Sequence, residues 1–397
     1  MNDKKAIVGL ILDDTKGGNM HISAEGLQPT PTNFALAEQG LLTDLNGDAV
    51  FWAGRAATLL YYVYKLAEQR ASHIEDPEII MPAMMCTTSC NVAHLAKMTP
   101  RFADIDPATG LVTLETLQAR YTENTVAVVV IHLLGNTAEM ARIAAWCAEN
   151  DLLLIEDPTQ AVHGKLPDSK LAGAYGDVTV YSFNRTKIIG AGNGVLVTRT
   201  PDITQELREI INRLPTIPEP DMTLLQQLGL SYRNLHHSLV GLYRVRALPD
   251  AQISDAFMSV RSSFEPLFLR PTKTDVDLNE AWNALPTDLA RRYELASIYA
   301  DCLQDGPWEL MTGFQESGVC WRFSLLIDNP AQQVAFSEAV RRDGFHVSNL
   351  YWAVNQFFRP SDECPHADSF GRRIVNLWVD ASVDENYVRA CSESLLK

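Results

Sequence analysis

The chain has 397 residues, of which 46% are hydrophobic and 21% charged, a length that suits two domains and a composition ordinary for a soluble globular protein. Its formal net charge of −16, from 33 basic and 49 acidic side chains, argues against nucleic acid or an anionic membrane as the main partner, because both demand a basic face; a small anion in a locally positive pocket remains compatible. Seven scattered cysteines with no C-x-x-C pair read as reduced thiols rather than a disulfide framework or a zinc site, and the apolar run in "MNDKKAIVGLILDD" is too short for a signal peptide or a membrane span, which predicts a cytoplasmic protein.

From residue 50 to 200 the chain alternates helix and strand. "GRAATLLYYVYKLAEQ" (54–69) has apolar residues at helical spacing, and "EIIMP" (78–82) is a short buried strand. "NVAHLAKM" (91–98) is helix-like, "PRFADID" (100–106) a strand that stops at acids, and "TLETLQARY" (113–121) a helix. "TVAVVVIHLLG" (125–135) is a continuous β-branched run, followed by an amphipathic helix over "AEMARIAAWCAEN" (138–150) and a buried strand in "LLLIEDPTQA" (152–161). "VTVYSF" (178–183) and "GVLVT" (194–198) are further strands. Continuous apolar strands separated by helices predict a mainly parallel sheet covered on both faces, with ligands bound beyond the carboxyl ends of its strands.

Residues 201–270 differ in texture. They are leucine-rich, with "RLPTIPEP" as a break and "LHHSLVGLYRVRALPD" as helical or mobile, and helices are expected there. "LNEAWNALPTDLARRYELASIYADCL" (278–303) reads as a helix broken at Pro286, or as two helices. "VCWRFSLLID" (319–328) and "RIVNLWVD" (373–380) are strands, and "PAQQVAFSEAVRRDG" (330–344) and "VDENYVRACSESLLK" (383–397) are helices, which makes a smaller α/β domain. The division expected is a large domain over 1–265, with 201–270 as its atypical helical segment, and a small C-terminal domain over 266–397.

Chemistry gathers at three places. Asp157 ends a buried strand; such an acid is either a helix cap or a carboxylate that keeps a ring nitrogen protonated. Lys187 follows one strand later, beside Ser182 and the glycine run "GAGNG" (190–194); alone it reads as a surface lysine, but a partly desolvated amine forms an imine with an aldehyde. "WAGRAATLL" (52–60) opens a helix on glycine, and its free N–H groups at Gly54, Arg55 and Ala56 make an anion site, with Arg55 adding a full charge. A helix start for a phosphate, an acid for a pyridine nitrogen and a lysine for an aldehyde together suit pyridoxal 5'-phosphate (PLP). No G-x-G-x-x-G follows the first strand, which removes the dinucleotide-binding rival. The adjacent His236 and His237 do not share a helical face, and no cysteine or histidine quartet completes a metal site.

These segments resemble the DegT/StrS-type aminotransferases, a branch of the fold-type-I PLP enzymes that includes many sugar-nucleotide aminotransferases. "AGRAATL" (53–59) is similar to the family's "SGTAAL", "IIMPAMMC" (79–86) to "VIVPAYTF", and "PRFADIDPAT" (100–109) to "PVFVDIDPET". "VVIHLLG" (129–135) is similar to "IPVHLYG", "LLLIEDPTQA" to "LLVIEDAAQA", and "SFNRTKIIG" (182–190) to "SFHPTKNLG". The resemblance implies a mainly parallel mixed sheet flanked by helices. It implies Lys187 as the Schiff-base lysine, Asp157 on the pyridine nitrogen, Gln160 at the ring hydroxyl, and Ser182 with the Gly54, Arg55 and Ala56 start of the helix at the phosphate. Cys86 stands where a ring-stacking aromatic is usual. It also implies a homodimer, an amino donor such as glutamate and a keto acceptor. A diphosphate on that acceptor needs positive residues against the net charge of −16, for which Arg55, Arg185 and Arg322 are candidates, and a tryptophan near Tyr351 is a candidate wall of the substrate pocket.

Departures from the pattern are informative. Arg55 replaces a threonine or serine, Cys86 cannot stack as an aromatic does, and Asn193 stands where an acid is common. The family's "N-Y-R-M" segment has only a poor substitute in "SYRNL" (231–235). A same-fold PLP enzyme with other chemistry is the alternative. Dehydratase relatives carry histidine in place of the lysine, so Lys187 disfavours that route, and the intact Asp157, Gln160, Ser182 and Lys187 set disfavours a non-catalytic binding module.

Overall fold

The computed structural model describes residues 35–184, 186–214, 221–244, 246, 250–270 and 278–396. The candidate substrate residue Arg185 and the N-terminal run lie outside the described residues.

A seven-stranded sheet forms the larger layer. Its strands are β1 (Ala49–Ala53), β2 (Glu78–Pro82), β3 (Thr99–Ala103), β4 (Thr125–Ile131), β5 (Leu153–Asp157), β6 (Val178–Ser182) and β7 (Gly194–Thr198), in the order β1-β7-β6-β5-β4-β2-β3. The pairs from β3 through β2, β4 and β5 to β6 are parallel, while β7 runs antiparallel to both β6 and β1. The sheet is therefore mixed and mainly parallel, as expected. β2 and β7 are buried at every position, so their sequences carry no period-two alternation.

Helices cover this sheet. Ala56–Arg70 buries Leu59, Leu60, Val63, Tyr64, Leu66 and Ala67 along one stripe. The helix after β2 spans Thr87–Leu95, four residues upstream of the segment read from the sequence, because its polar first turn is buried at Thr87 and Ser89 rather than solvated. Leu114–Gln118 starts at a reciprocal cap between Thr113 and Thr116. The atypical segment is helical as expected, over Pro201–Arg213, Met222–Arg244 and Asp250–Val260.

The segment 278–303 forms one helix, Leu278–Leu303, not a broken pair. A proline inside a helix costs about 3 kcal/mol. Leu285 and Leu289, on either side of Pro286, are both buried in the large core, and Asp288 pairs with Arg291 at 2.9 Å and Arg292 at 2.5 Å in the next turn. The burial of Leu285 and Leu289 in one core holds the two halves in line, and the Asp288 pairs brace the turn that follows the proline.

A second sheet of four antiparallel strands, β8 (Trp308–Met311), β9 (Phe323–Ile327), β10 (Val347–Ser348) and β11 (Ile374–Leu377), has the order β10-β11-β9-β8. It carries its own apolar core, including Tyr299, Phe323, Leu325, Val375, Leu377 and Val388. Tyr351–Val354, Phe357 and Phe370 return to the larger core, so the two layers are stitched along the 350–374 stretch. Among the described residues no helix is long and apolar enough to cross a membrane.

Candidate active site

The carboxyl ends of β5 and β6 open on one edge of the sheet, because the two strands are parallel. Asp157 is the last residue of β5 and Ser182 the last of β6. Gly194, the first residue of antiparallel β7, pairs with Ser182 on one side and with Ala53 at the end of β1 on the other. Three strands thus set Ser182 and the Gly54–Ala56 helix start side by side. A Cβ on Gly194 would lie 2.2 Å from the Ala56 nitrogen and 2.6 Å from the Arg55 carbonyl carbon, so only glycine lets the strand and the helix start approach this closely.

Lys187 lies in the loop between β6 and β7. Gly192 at φ +81° and Asn193 at φ +67° turn this loop back, and the Lys187 N–H donates to the Asn184 carbonyl at 2.8 Å. The half-buried Lys187 Nζ donates to the Tyr351 hydroxyl at 3.3 Å. Burial alone would lower the amine's pKa, but Tyr351, Cys86 and Asp157 around it outweigh burial and hold it above the ordinary lysine value. The sequence reading treats the reactive amine as neutral; here it is a cation fixed between three groups of the opposite tendency. Asp157, Cys86 and Tyr351 thereby converge on Lys187 from three distant parts of the chain.

Asp157 offers one oxygen outward. Its Oδ1 accepts from the Thr159 N–H at 3.0 Å, while Oδ2 has no hydrogen-bond partner among the described residues. Thr159 Oγ1 in turn accepts from the Ser182 N–H at 2.9 Å, which ties the ends of β5 and β6 together. The neighbouring Glu156 points the other way, as strand alternation requires. It is fully buried and accepts from His132 Nε2 at 2.8 Å and from the N–H groups of Gly173, Tyr175 and Gly176 at 2.7, 2.9 and 2.7 Å. Burial pushes its pKa up, but those donors prevail and hold it below the usual carboxylate value. His132 Nδ1 accepts from the Ala138 N–H at 3.1 Å, so its proton sits on Nε2, facing Glu156. Gln160 is buried: its Oε1 accepts from the Leu134 N–H at 2.9 Å and its Nε2 donates to the Tyr351 hydroxyl at 2.9 Å. The site therefore already presents Gln160 and Lys187 to a phenolic oxygen.

Cys86 caps the helix Thr87–Leu95 without a side-chain bond to its backbone; its exposed thiol donates to Thr88 Oγ1 at 3.4 Å. Arg322, a candidate substrate residue, is buried; its guanidinium lies 3.5 Å over the Trp378 ring and 4.6 Å from Trp321, and Nη1 donates to Ser348 Oγ at 2.8 Å. Trp321 carries no local motif that marks it as a site residue. It stacks on Tyr351 at 6.3 Å and 21°, and its Nε1 donates to the Thr186 carbonyl at 2.8 Å, one residue before the lysine.

Comparison with known proteins places the chain among aminotransferase-like sequences and folds. The model of the DegT/DnrJ/EryC1/StrS aminotransferase family matches residues 63–244. Protein MosB of Rhizobium meliloti is 26% identical over 52% of this chain and 44% of its own length, so the chain spans under half of that relative. The dTDP-4-dehydro-2,3,6-trideoxy-D-glucose 4-aminotransferase of Saccharopolyspora spinosa is 24% identical over 81% of this chain and 77% of its own. Among solved structures, Helicobacter pylori PseC, an aminotransferase involved in the biosynthesis of pseudoaminic acid, superposes with a TM-score of 0.70 at 17% identity, covering 100% of this chain and 95% of that one. The resemblance drawn from the six motifs is borne out, and the fold is that of the fold-type-I aminotransferases.

Proposed function

We propose that this DegT/StrS-type chain is a PLP-dependent aminotransferase that moves an amino group from a donor such as glutamate to a keto substrate of the sugar-nucleotide class. The observation that carries the reading is the convergence of Asp157, Cys86 and Tyr351 on Lys187 beyond the ends of β5 and β6. The residues present fit the cofactor. Asp157 Oδ2 lacks a partner among the described residues, Asn193 Nδ2 is buried without one, and the helix start at Ala56 is backed by a glycine that no other residue can replace. Relatives that act on dTDP- and GDP-linked sugars support the substrate class.

When bound, PLP supplies an electron sink for the carbon that loses its proton. Asp157, with Oδ2 unpartnered among the described residues, would hold a proton on the ring nitrogen and so keep that sink strong. Gln160 Nε2, which donates to Tyr351 here, would donate to the ring hydroxyl, and the Gly54–Ala56 amides with Ser182 would hold the phosphate. Lys187 Nζ is the amine that would hold the cofactor's carbonyl carbon and, once the amino substrate had displaced it, would be the base placed to carry a proton to and from the substrate carbon. Trp321 holds the Lys187 loop through Thr186. A homodimer, a cytoplasmic location and a division into a large cofactor-binding unit (1–265) and a smaller one (266–397) belong to the same proposal.

The test is covalent trapping. Purified protein loaded with PLP and reduced with borohydride should carry the cofactor mass on the peptide that contains Lys187, and added glutamate before reduction should abolish the mark. Attachment elsewhere, or none, ends the reading. A mark that survives glutamate points to another donor or to non-transaminase chemistry on the same fold.

A further inference from the structure

The atypical helices end in a segment that lies across the start of the helix Ala56–Arg70. The Arg270 N–H donates to Thr58 Oγ1 at 2.8 Å, and that hydroxyl donates back to the Arg270 carbonyl at 3.0 Å. Arg55, the residue that caps the helix, donates from Nη1 to the Leu267 carbonyl at 2.5 Å. Tyr232 packs edge-on against Phe264 at 5.1 Å and Phe268 at 5.8 Å, and its hydroxyl bonds to Thr87 Oγ1 at 3.0 Å. The strap is thereby anchored at both sides, and it sets Arg270 at the helix start beside Arg55.

This pairing is unfavourable as it stands. Burial lowers the pKa of both arginines, and Arg55 is lowered further by the charge of Arg270. No carboxylate among the described residues pairs with either, and Arg270 Nε is buried with no hydrogen-bond partner. The free N–H groups of the helix start add a third positive element. Two like charges held together beside a helix N-terminus, against a net charge of −16, need an anion to balance them.

We infer that Arg55 and Arg270 form a phosphate clamp, and that the 201–270 segment serves to hold it. The ligand class is a phosphate monoester or diphosphate, supplied by the cofactor or by a nucleotide-linked substrate; only this choice of source rests on the proposed function. Arginine matches phosphate with paired N–H donors, and neither the net charge nor the family motifs demand one at position 55 or 270.

The probe for the clamp is inorganic phosphate, followed by the thermal unfolding of protein freed of cofactor. Phosphate should raise the midpoint of the native chain, and Arg270→Met and Arg55→Gln should remove most of that rise. Without phosphate Arg270→Met should unfold at an equal or higher temperature, because its repulsion with Arg55 is gone, whereas Arg55→Gln also loses the bond to the Leu267 carbonyl. Equal phosphate response in native and variant chains overturns the clamp; should Arg270→Met not fold, Arg270→Lys reads the same response, with partial loss expected. Titration then identifies the source. If the cofactor's phosphate is held, Arg270→Met binds PLP about tenfold or more weakly but binds pyridoxal unchanged. If the substrate's is held, PLP binding stays level and nucleoside diphosphate binding falls instead. Loss of neither affinity also overturns the clamp. Trapping at Lys187 is scored separately, so failure of the aminotransferase reading and failure of the clamp give different results.

Discussion

Replacing Glu156 with glutamine should cost more stability than any other single isosteric change near the site. The Glu156 carboxylate accepts four N–H groups, two on each oxygen: His132 Nε2 and Gly173 N on Oε1, Tyr175 N and Gly176 N on Oε2. An amide has one oxygen, so its NH₂ group must face two donors whichever way it is turned. His132 can retreat only by moving its proton to Nδ1, where it meets the Ala138 N–H. Two bonds to a charged group are lost, at about 1.5–3 kcal/mol each, so the expected cost is about 3–6 kcal/mol. That is a large part of the ~5–15 kcal/mol that holds a typical domain together. The assay is urea unfolding of both proteins at neutral pH. The native carboxylate also has a depressed pKa, so its contribution is present above the unfolded glutamate value of about 4.3 and fades as pH falls through the lower folded value. The variant should lose this part of the acid dependence. A cost below about 1 kcal/mol, or an acid limb identical to that of the native chain, would refute the argument that this carboxylate is charged and fully bonded.

Gly194→Ala should cut PLP uptake and lower the urea midpoint, because the new methyl lies 2.2 Å from the Ala56 nitrogen and backbone cannot give way; normal uptake measured by absorbance would contradict this. Trp321→Phe removes the bond to the Thr186 carbonyl and should cost about 1 kcal/mol, with faster hydrogen exchange around residues 186–190. Burial lowers the His236 pKa to about 3, so the folded ring stays neutral where the unfolded one takes up a proton. Stability should therefore fall as pH drops from about 6.5 towards 3, by at most about 1.4 kcal/mol per pH unit, and His236→Gln should flatten that slope in urea titrations. The raised Lys187 pKa makes the neutral amine scarce at pH 7, so the rate of PLP attachment should rise about tenfold per pH unit up to that pKa; a flat profile in stopped-flow absorbance would show that the amine is already neutral.

The buried strands were the most legible part of the fold. β2 and β7 coincide with their sequence segments because a continuous apolar run admits little else between turn residues. β1 was not foreseen, since four of its five residues are half-buried and its Phe and Trp suit a strand or a helix equally. Pro286 misled because local propensity counts a lost bond and omits the tertiary contacts of Leu285 and Leu289. In the site, Asp157, Gln160, Ser182 and Lys187 stand close together along the chain, and the motifs single them out. Trp321 reaches Thr186 across 135 residues and Arg270 reaches Thr58 across 212, and no local pattern encodes a distance of that kind.

Of seven cysteines only Cys86 is exposed, and it borders Lys187. The molecule thus carries a built-in chemical reporter: an alkylating reagent reaches one sulfur first, beside the reactive amine. Any ligand seated over that sulfur slows the labelling, which turns site occupancy into a quantity read by mass alone, with no turnover required.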